Sequence, residues 1–155
     1  MTRATPPLVV AALVAMLAAG VNAGAERASA ATCVPGVQAV GVQYVRVFCG
    51  PARATLVVAG RTYRFRPGEC FRSKDFTNVN IGTYTVSGAP LGRYIRIVGP
   101  SRDGTTRRGS VSWQLPGIPD GVSGARLTLK DKGTRGSFSG RTRSGKPVNG
   151  SFNCR

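Results

Sequence analysis

The chain has 155 residues, with 22 Lys or Arg against six Asp or Glu and no histidine, for a formal net charge of +16. The missing histidine excludes Ser-His-Asp and Cys-His nucleophile activation, and so few acids leave nothing that marks out a carboxylate pair. Four cysteines without a C-x-x-C spacing point away from zinc, and towards two disulfides in an exported chain.

Residues 1–30 read as a signal peptide. Arg3 supplies a short basic start, Pro7 to Val21 form an apolar run too short to span a bilayer comfortably, and small residues follow. Ala23-Gly24-Ala25 and Ala28-Ser29-Ala30 both suit cleavage, and the second is favoured. Lipidation at Cys33 is disfavoured, because Thr32 is a poor preceding residue and Glu26 and Arg27 separate Cys33 from the apolar run. Residues 31–155 are then one secreted domain, expected outside the cell or at the cell envelope. Removing the leader takes two of the 22 cations and one of the six acids, leaving 20 and 5 and a net charge of +15.

Within 31–155 the pattern is short alternating strands. Residues 43–48 (QYVRVF) set Val45 and Val47 against Tyr44, Arg46 and Phe48. Residues 54–65 (ATLVVAGRTYRF) predict a hairpin turning at Gly60-Arg61. Strands over 78–88 and 92–99 follow. Residues 109–115 place Val111, Trp113 and Leu115 on one face, with Ser110, Ser112 and Gln114 on the other. Two further hairpins turn at Asp131-Lys132-Gly133 and Ser144-Gly145-Lys146, and Asn149-Gly150-Ser151, a glycosylation sequon in form, reads as a turn. No stretch carries apolar residues at helical spacing for three turns. The expected fold is mainly β, a small antiparallel β-sandwich or open barrel with two disulfides. The phrases RGSVS (108–112), RGSFS (135–139) and NGSFN (149–153) echo one another, which reads as three narrow strands sharing one face rule. Trp113 is expected in the core; Tyr84 and Tyr94 carry no assignment.

Cys49 and Cys70 bracket the first hairpin. Pairing Val58 with Tyr63 brings them near each other at its open end, so a Cys49–Cys70 bond is allowed by distance. Against it, Gly50-Pro51 and Pro67-Gly68 tend to break the ladder there. The favoured alternative pairs Cys33 with Cys49 and Cys70 with Cys154; its long link stabilises by about 4.5 kcal/mol and its short one by about 3 kcal/mol in the chain-entropy model.

The phrases VVAGRTYRF…GEC, NVNIGT, RDGTTRRGSVS and KGTRGSFSGR…GKPVNGSFNC, spread over residues 56–155, resemble the actinobacterial (mycobacterial-type) lipoprotein-antigen family. Cys70 and Cys154 stand where that family has its paired cysteines, and Asn78 to Gly82 and Pro147 to Cys154 match its phrases. The resemblance implies an antiparallel β-domain closed by a Cys70–Cys154 bond, in an envelope or secreted protein without defined enzymatic activity. The chain departs from the family in lacking a lipobox and a Ser/Thr/Gly-rich linker, in adding Cys33 and Cys49, and in its basicity. These departures weigh against a lipid anchor.

Charge is the strongest functional signal. Arg64, Arg66 and Arg96 alternate with apolar neighbours on strands, and Arg107, Arg108, Arg141 and Arg143 come from loops or adjacent strands. These seven are the candidate binding residues for a polyanion: extracellular DNA, an acidic cell-wall polymer, anionic lipid headgroups or an acidic protein. A basic surface serving only solubility is the bland alternative, although +15 exceeds what solubility requires. The leading expectation is a non-enzymatic envelope or extracellular protein with a binding or structural role, monomeric, with no cofactor, no metal and no small-molecule substrate. A polyanion-binding module is the alternative. A secreted protease inhibitor presenting Leu115 to Asp120 is a further one. Ser73-Lys74 and Ser144-Gly145-Lys146 suit turns better than Ser-Lys catalysis.

Overall fold

The computed structural model describes residues 33–118 and 120–155. The signal-peptide and cleavage-site expectations fall outside these residues. Eleven strands make up the domain: β1 (Gly36–Val40), β2 (Gln43–Phe48), β3 (Arg53–Val58), β4 (Arg61–Phe65), β5 (Gly68–Arg72), β6 (Phe76–Thr85), β7 (Tyr94–Pro100), β8 (Gly104–Gln114), β9 (Asp120–Lys130), β10 (Arg135–Arg141) and β11 (Pro147–Asn153). All the strands pair antiparallel in a single sheet, in the order β1-β2-β6-β7-β8-β9-β10-β11-β3-β4, with β5 also paired to β6. Of the two expected architectures, this is the open barrel.

The curl follows from the bend between β4 and β5. Together they act as one bent strand: β4 pairs with β3, and after Pro67 β5 pairs with β6. The seam between the start of β3 and β5 is short. Ala52 N–H donates to Gly68 O at 3.0 Å and Gly68 N–H to Gly50 O at 3.3 Å. Because the sheet turns back on itself, side chains from β3, β4 and β6 to β11 converge on one interior. Leu56, Ile81, Ile95 and Leu127 are wholly buried there, and Val111, Trp113 and Leu115 line it as their alternation predicts. Each such side chain removed from water contributes roughly 1.5–3 kcal/mol before chain entropy is counted.

The three echoing phrases have a packing reason. In register, Gly136 faces Phe152 and Phe138 faces Gly150, while Ser137 and Ser151 point outward. Each phenylalanine lies over the glycine of the opposite strand. A Cβ on Gly150 would come within 2.3 Å of the Phe138 ring and 2.2 Å of Thr55 O. Gly109 gives the same room to Leu127 on β9. The shared phrase is therefore a rule for a tapered interior: glycine in, serine out, large residue in.

Both disulfides take the favoured pairing, Cys33–Cys49 and Cys70–Cys154, and there are no free cysteines among the described residues. The hairpin register differs from expectation. Val58 pairs with Arg61 rather than Tyr63, and the two turn residues are Ala59 and Gly60, both with positive φ (49° and 78°). That is the geometry that matches right-handed strand twist. Extended outward, this register would set Cys49 opposite Cys70, but the ladder stops at Ala54 and Phe65 and the chain bends at Pro67. The proline-glycine flanks thus decide the pairing, as argued from sequence. Asn149, Gly150 and Ser151 are strand rather than turn, paired with β10 and β3.

The β1–β2 hairpin stands outside the barrel. β5 occupies the edge of β6 from Thr77 to Ile81, and β2 continues along the same edge from Gly82 to Thr85. Gly82 is the junction. Its φ is 97°, and a Cβ there would meet Arg93 O at 1.9 Å, so no larger residue fits.

Candidate functional site

All twenty lysines and arginines among the described residues are exposed, against five carboxylates. The ion pair found among them joins Arg135 to Asp131 in the β9–β10 turn, where the Arg135 hydrogen bond holds the Asp131 carboxyl below its ordinary range. The sheet places these cations by register. On the outer side of β4, β3, β11, β10 and β9, one row reads Arg64, Thr55, Ser151, Ser137, Thr128. The row beside it reads Arg53, Asn153, Arg135, Lys130. Small hydroxyl side chains form a low polar floor between taller guanidinium groups.

At the β4–β3–β11 end this floor deepens into a hollow of about 640 Å³, where Arg53, Arg64 and Arg66 surround Thr55, Ser151 and Asn153. The hydroxyls and amide supply neutral donors, and three permanently charged forks supply the field, a set suited to phosphate, sulfate or carboxylate groups. A smaller hollow, of about 270 Å³, lined by Lys130, Arg135 and Ser137, continues the same face.

The seven sequence candidates do not form one ridge. Arg64 and Arg66 come together, with Arg53 as an addition. Arg53 was missed because it precedes the apolar run, although it obeys the same alternation. Arg141 and Arg143 line a separate depression with Asp120 on the β8–β9 side. Arg107 and Arg108 occupy an irregularity in β8, where the register slips between Thr106 and Gly109. Arg96 stands apart on β7, its Nε donating to Asn78 Oδ1 at 3.2 Å. Lys130 and Arg135 were invisible as a site because only the β9–β10 register sets them opposite each other.

A second hollow, of about 790 Å³, lies on the outer side of β6 and β7 beside the β1–β2 hairpin. Its floor holds Tyr94, with the Phe48 ring stacked at 5.5 Å and the Tyr84 ring edge-on at 5.0 Å. Phe48 is buried here, on the same side of β2 as the exposed Arg46, because its ring stacks on Tyr94. The Tyr94 hydroxyl donates to Asn80 Oδ1 at 2.7 Å, and burial pushes its pKa up to about 12.

Elsewhere the chemistry is structural. Ser73 Oγ accepts the backbone N–H groups of Asp75 and Phe76, and Ser144 Oγ lies 2.9 Å from Thr142 Oγ1. Both serines hold turns, as expected. Asp120 Oδ1 accepts Gly121 N–H, and Asp103 Oδ1 accepts Gly133 N–H across two turns. Among the described residues no group of three or more His, Cys, Asp or Glu gathers to hold a metal. In the Leu115–Asp120 segment Leu115 is buried, Ile118 N–H closes a tight turn on Leu115 O, and Ile118 itself is exposed. No family model, no curated protein and no solved structure matches the chain.

Proposed function

We propose that this is an exported, non-enzymatic binding protein that captures an anionic polymer on the outer face of β4, β3, β11, β10 and β9. The observation that carries the reading is the Arg53–Arg64–Arg66 hollow, floored by neutral donors and continued by a row of further cations. Each phosphate or carboxylate neutralised there releases a condensed counterion, so affinity falls steeply as salt rises. Phe65 and Phe152, which also border the hollow, are buried in the core, and the outward floor of Thr55, Ser151, Ser137 and Thr128 offers no exposed ring, so the face reads charge rather than bases. Export rests on the leader-like N-terminus and the two disulfides. The likeness to the lipoprotein-antigen family is in keeping with an envelope location.

Retention on heparin, double-stranded DNA and polyglutamate columns, measured against rising salt, tests this. The wild-type protein elutes well above physiological ionic strength. The triple variant R53A/R64A/R66A elutes earlier and lowers the slope of log affinity against log salt on DNA by about 2–3. Elution of the wild-type chain near physiological ionic strength, or an unchanged slope in the triple variant, refutes the proposal.

A further inference from the structure

The hollow beside the β1–β2 hairpin is chemically unlike the cationic face and is built independently of it. Phe71, more than half exposed on β5, stands beside Asn78 in register, while Tyr84 marks the other end. Six residue steps along β6 lead from Asn78 to Tyr84, a reach of about 20 Å. Between the two rings lies a row of fixed polar groups. Asn80 is 92 % buried as a residue (8 % exposed), and its Oδ1 is committed to the Tyr94 hydroxyl, which sets the orientation of the amide and leaves its NH2 on offer. Asn78 Oδ1 is committed to Arg96 Nε, which likewise leaves the Asn78 NH2 and the two terminal guanidinium nitrogens as donors. Arg46 is held over the Phe48 ring at 5.3 Å, and Glu69 sits opposite Asn80 as the acceptor of the set.

We infer that this hollow binds a carbohydrate, a short oligosaccharide lying along β6 between Phe71 and Tyr84. A pyranose ring has an apolar C–H face and a rim of hydroxyls that both donate and accept. The electron-rich face of an exposed aromatic ring takes the first, and planar amides, a guanidinium and a carboxylate take the second. The parts are preorganised: Tyr84 is braced edge-on by Tyr94, Phe71 by Phe76 at 5.8 Å, and both amides by their committed oxygens. Little side-chain freedom remains to be lost on binding.

Two features favour a sugar over a single-stranded nucleic acid. Glu69 accepts hydroxyl protons but repels phosphodiesters. The two exposed rings are also too far apart along β6 to stack successive bases, and the Phe48 and Tyr94 rings between them are buried. A lipid tail is disfavoured by two amides, two guanidinium groups and a carboxylate in one hollow.

The test is calorimetric titration of the whole folded protein with four uncharged sugars, chitohexaose, cellohexaose, mannohexaose and xylohexaose, with a ten-residue oligothymidylate in parallel. Saturable binding of at least one sugar is expected, with resonances of the Asn78 and Asn80 side-chain amides shifting on titration. Tyr84→Ala and Phe71→Ala, both at exposed positions, each weaken that binding by about tenfold, while R53A/R64A/R66A leaves it unchanged. No saturable binding of any of the four sugars at millimolar concentration overturns the inference, as does sugar binding indifferent to Tyr84→Ala. Tyr84-dependent binding of the oligothymidylate without any sugar also overturns it, and makes the hollow a nucleic-acid platform.

Discussion

Replacing Cys70 and Cys154 together by alanine removes the covalent tie between β5 and the chain beyond β11. That bond spans 84 residues, and closing a loop of this order lowers the entropy of the unfolded chain by about 4.5 kcal/mol at 25 °C. A domain of this kind has a total stability on the order of 5–15 kcal/mol, so the loss is a large share of it. Cys33–Cys49 spans 16 residues, for which the same reasoning yields about 3 kcal/mol. The structure widens the contrast. Cys70–Cys154 lies at the barrel seam, where two backbone hydrogen bonds are the other link, whereas Cys33–Cys49 closes a hairpin outside the barrel. Urea unfolding followed by the fluorescence of Trp113, buried in the barrel, compares the two pairs directly. The double variant C70A/C154A is expected to lose more stability than C33A/C49A. It should also show the larger rise in m-value, because its freed unfolded chain exposes more surface. Equal losses, or a larger loss in C33A/C49A, refute the idea that the seam is where covalent closure matters.

Other outcomes follow from single features. Gly150→Ala drives a methyl group into Thr55 O and the Phe138 ring, and its cost falls towards the upper end of roughly 1–3 kcal/mol; adding Phe138→Leu recovers only part, because the backbone contact remains. Ala59→Asn, at a position with φ of 49°, stabilises the β3–β4 turn by roughly 0.5–1 kcal/mol, read as a raised urea midpoint. Burial raises Tyr94 from 10.0 to about 12, so between those pH values the unfolded chain releases a proton that the native state keeps. Native stability therefore falls as pH climbs through that window. An absorbance titration of tyrosinate loses its highest step in Tyr94→Phe.

Much of the fold was legible because its cues are local. The alternation around Val111, Trp113 and Leu115 assigns a face without reference to any neighbour, and the glycine-rich turns after Lys130 and Arg141 mark where strands reverse. The disulfide pairing was readable too, since Pro51 and Pro67 break the first hairpin before its cysteines meet. β1 and β5 were not recognised. β1 (GVQAV) lies outside the barrel with Val37 and Val40 exposed, and β5 is five residues long with both Glu69 and Phe71 facing out.

By itself the sequence determined the strand-rich character and the excess of positive charge and favoured the cysteine scheme over one alternative, since period, spacing and composition are properties of short stretches. Tertiary structure decided the register and the neighbours. It set Val148 beside Val58, brought Arg53 to Arg64 and Arg66, and turned Phe48 outward onto Tyr94. Alternation tells which side of a strand a residue takes, but ladder partners remote along the chain are chosen only when the sheet closes around a shared interior.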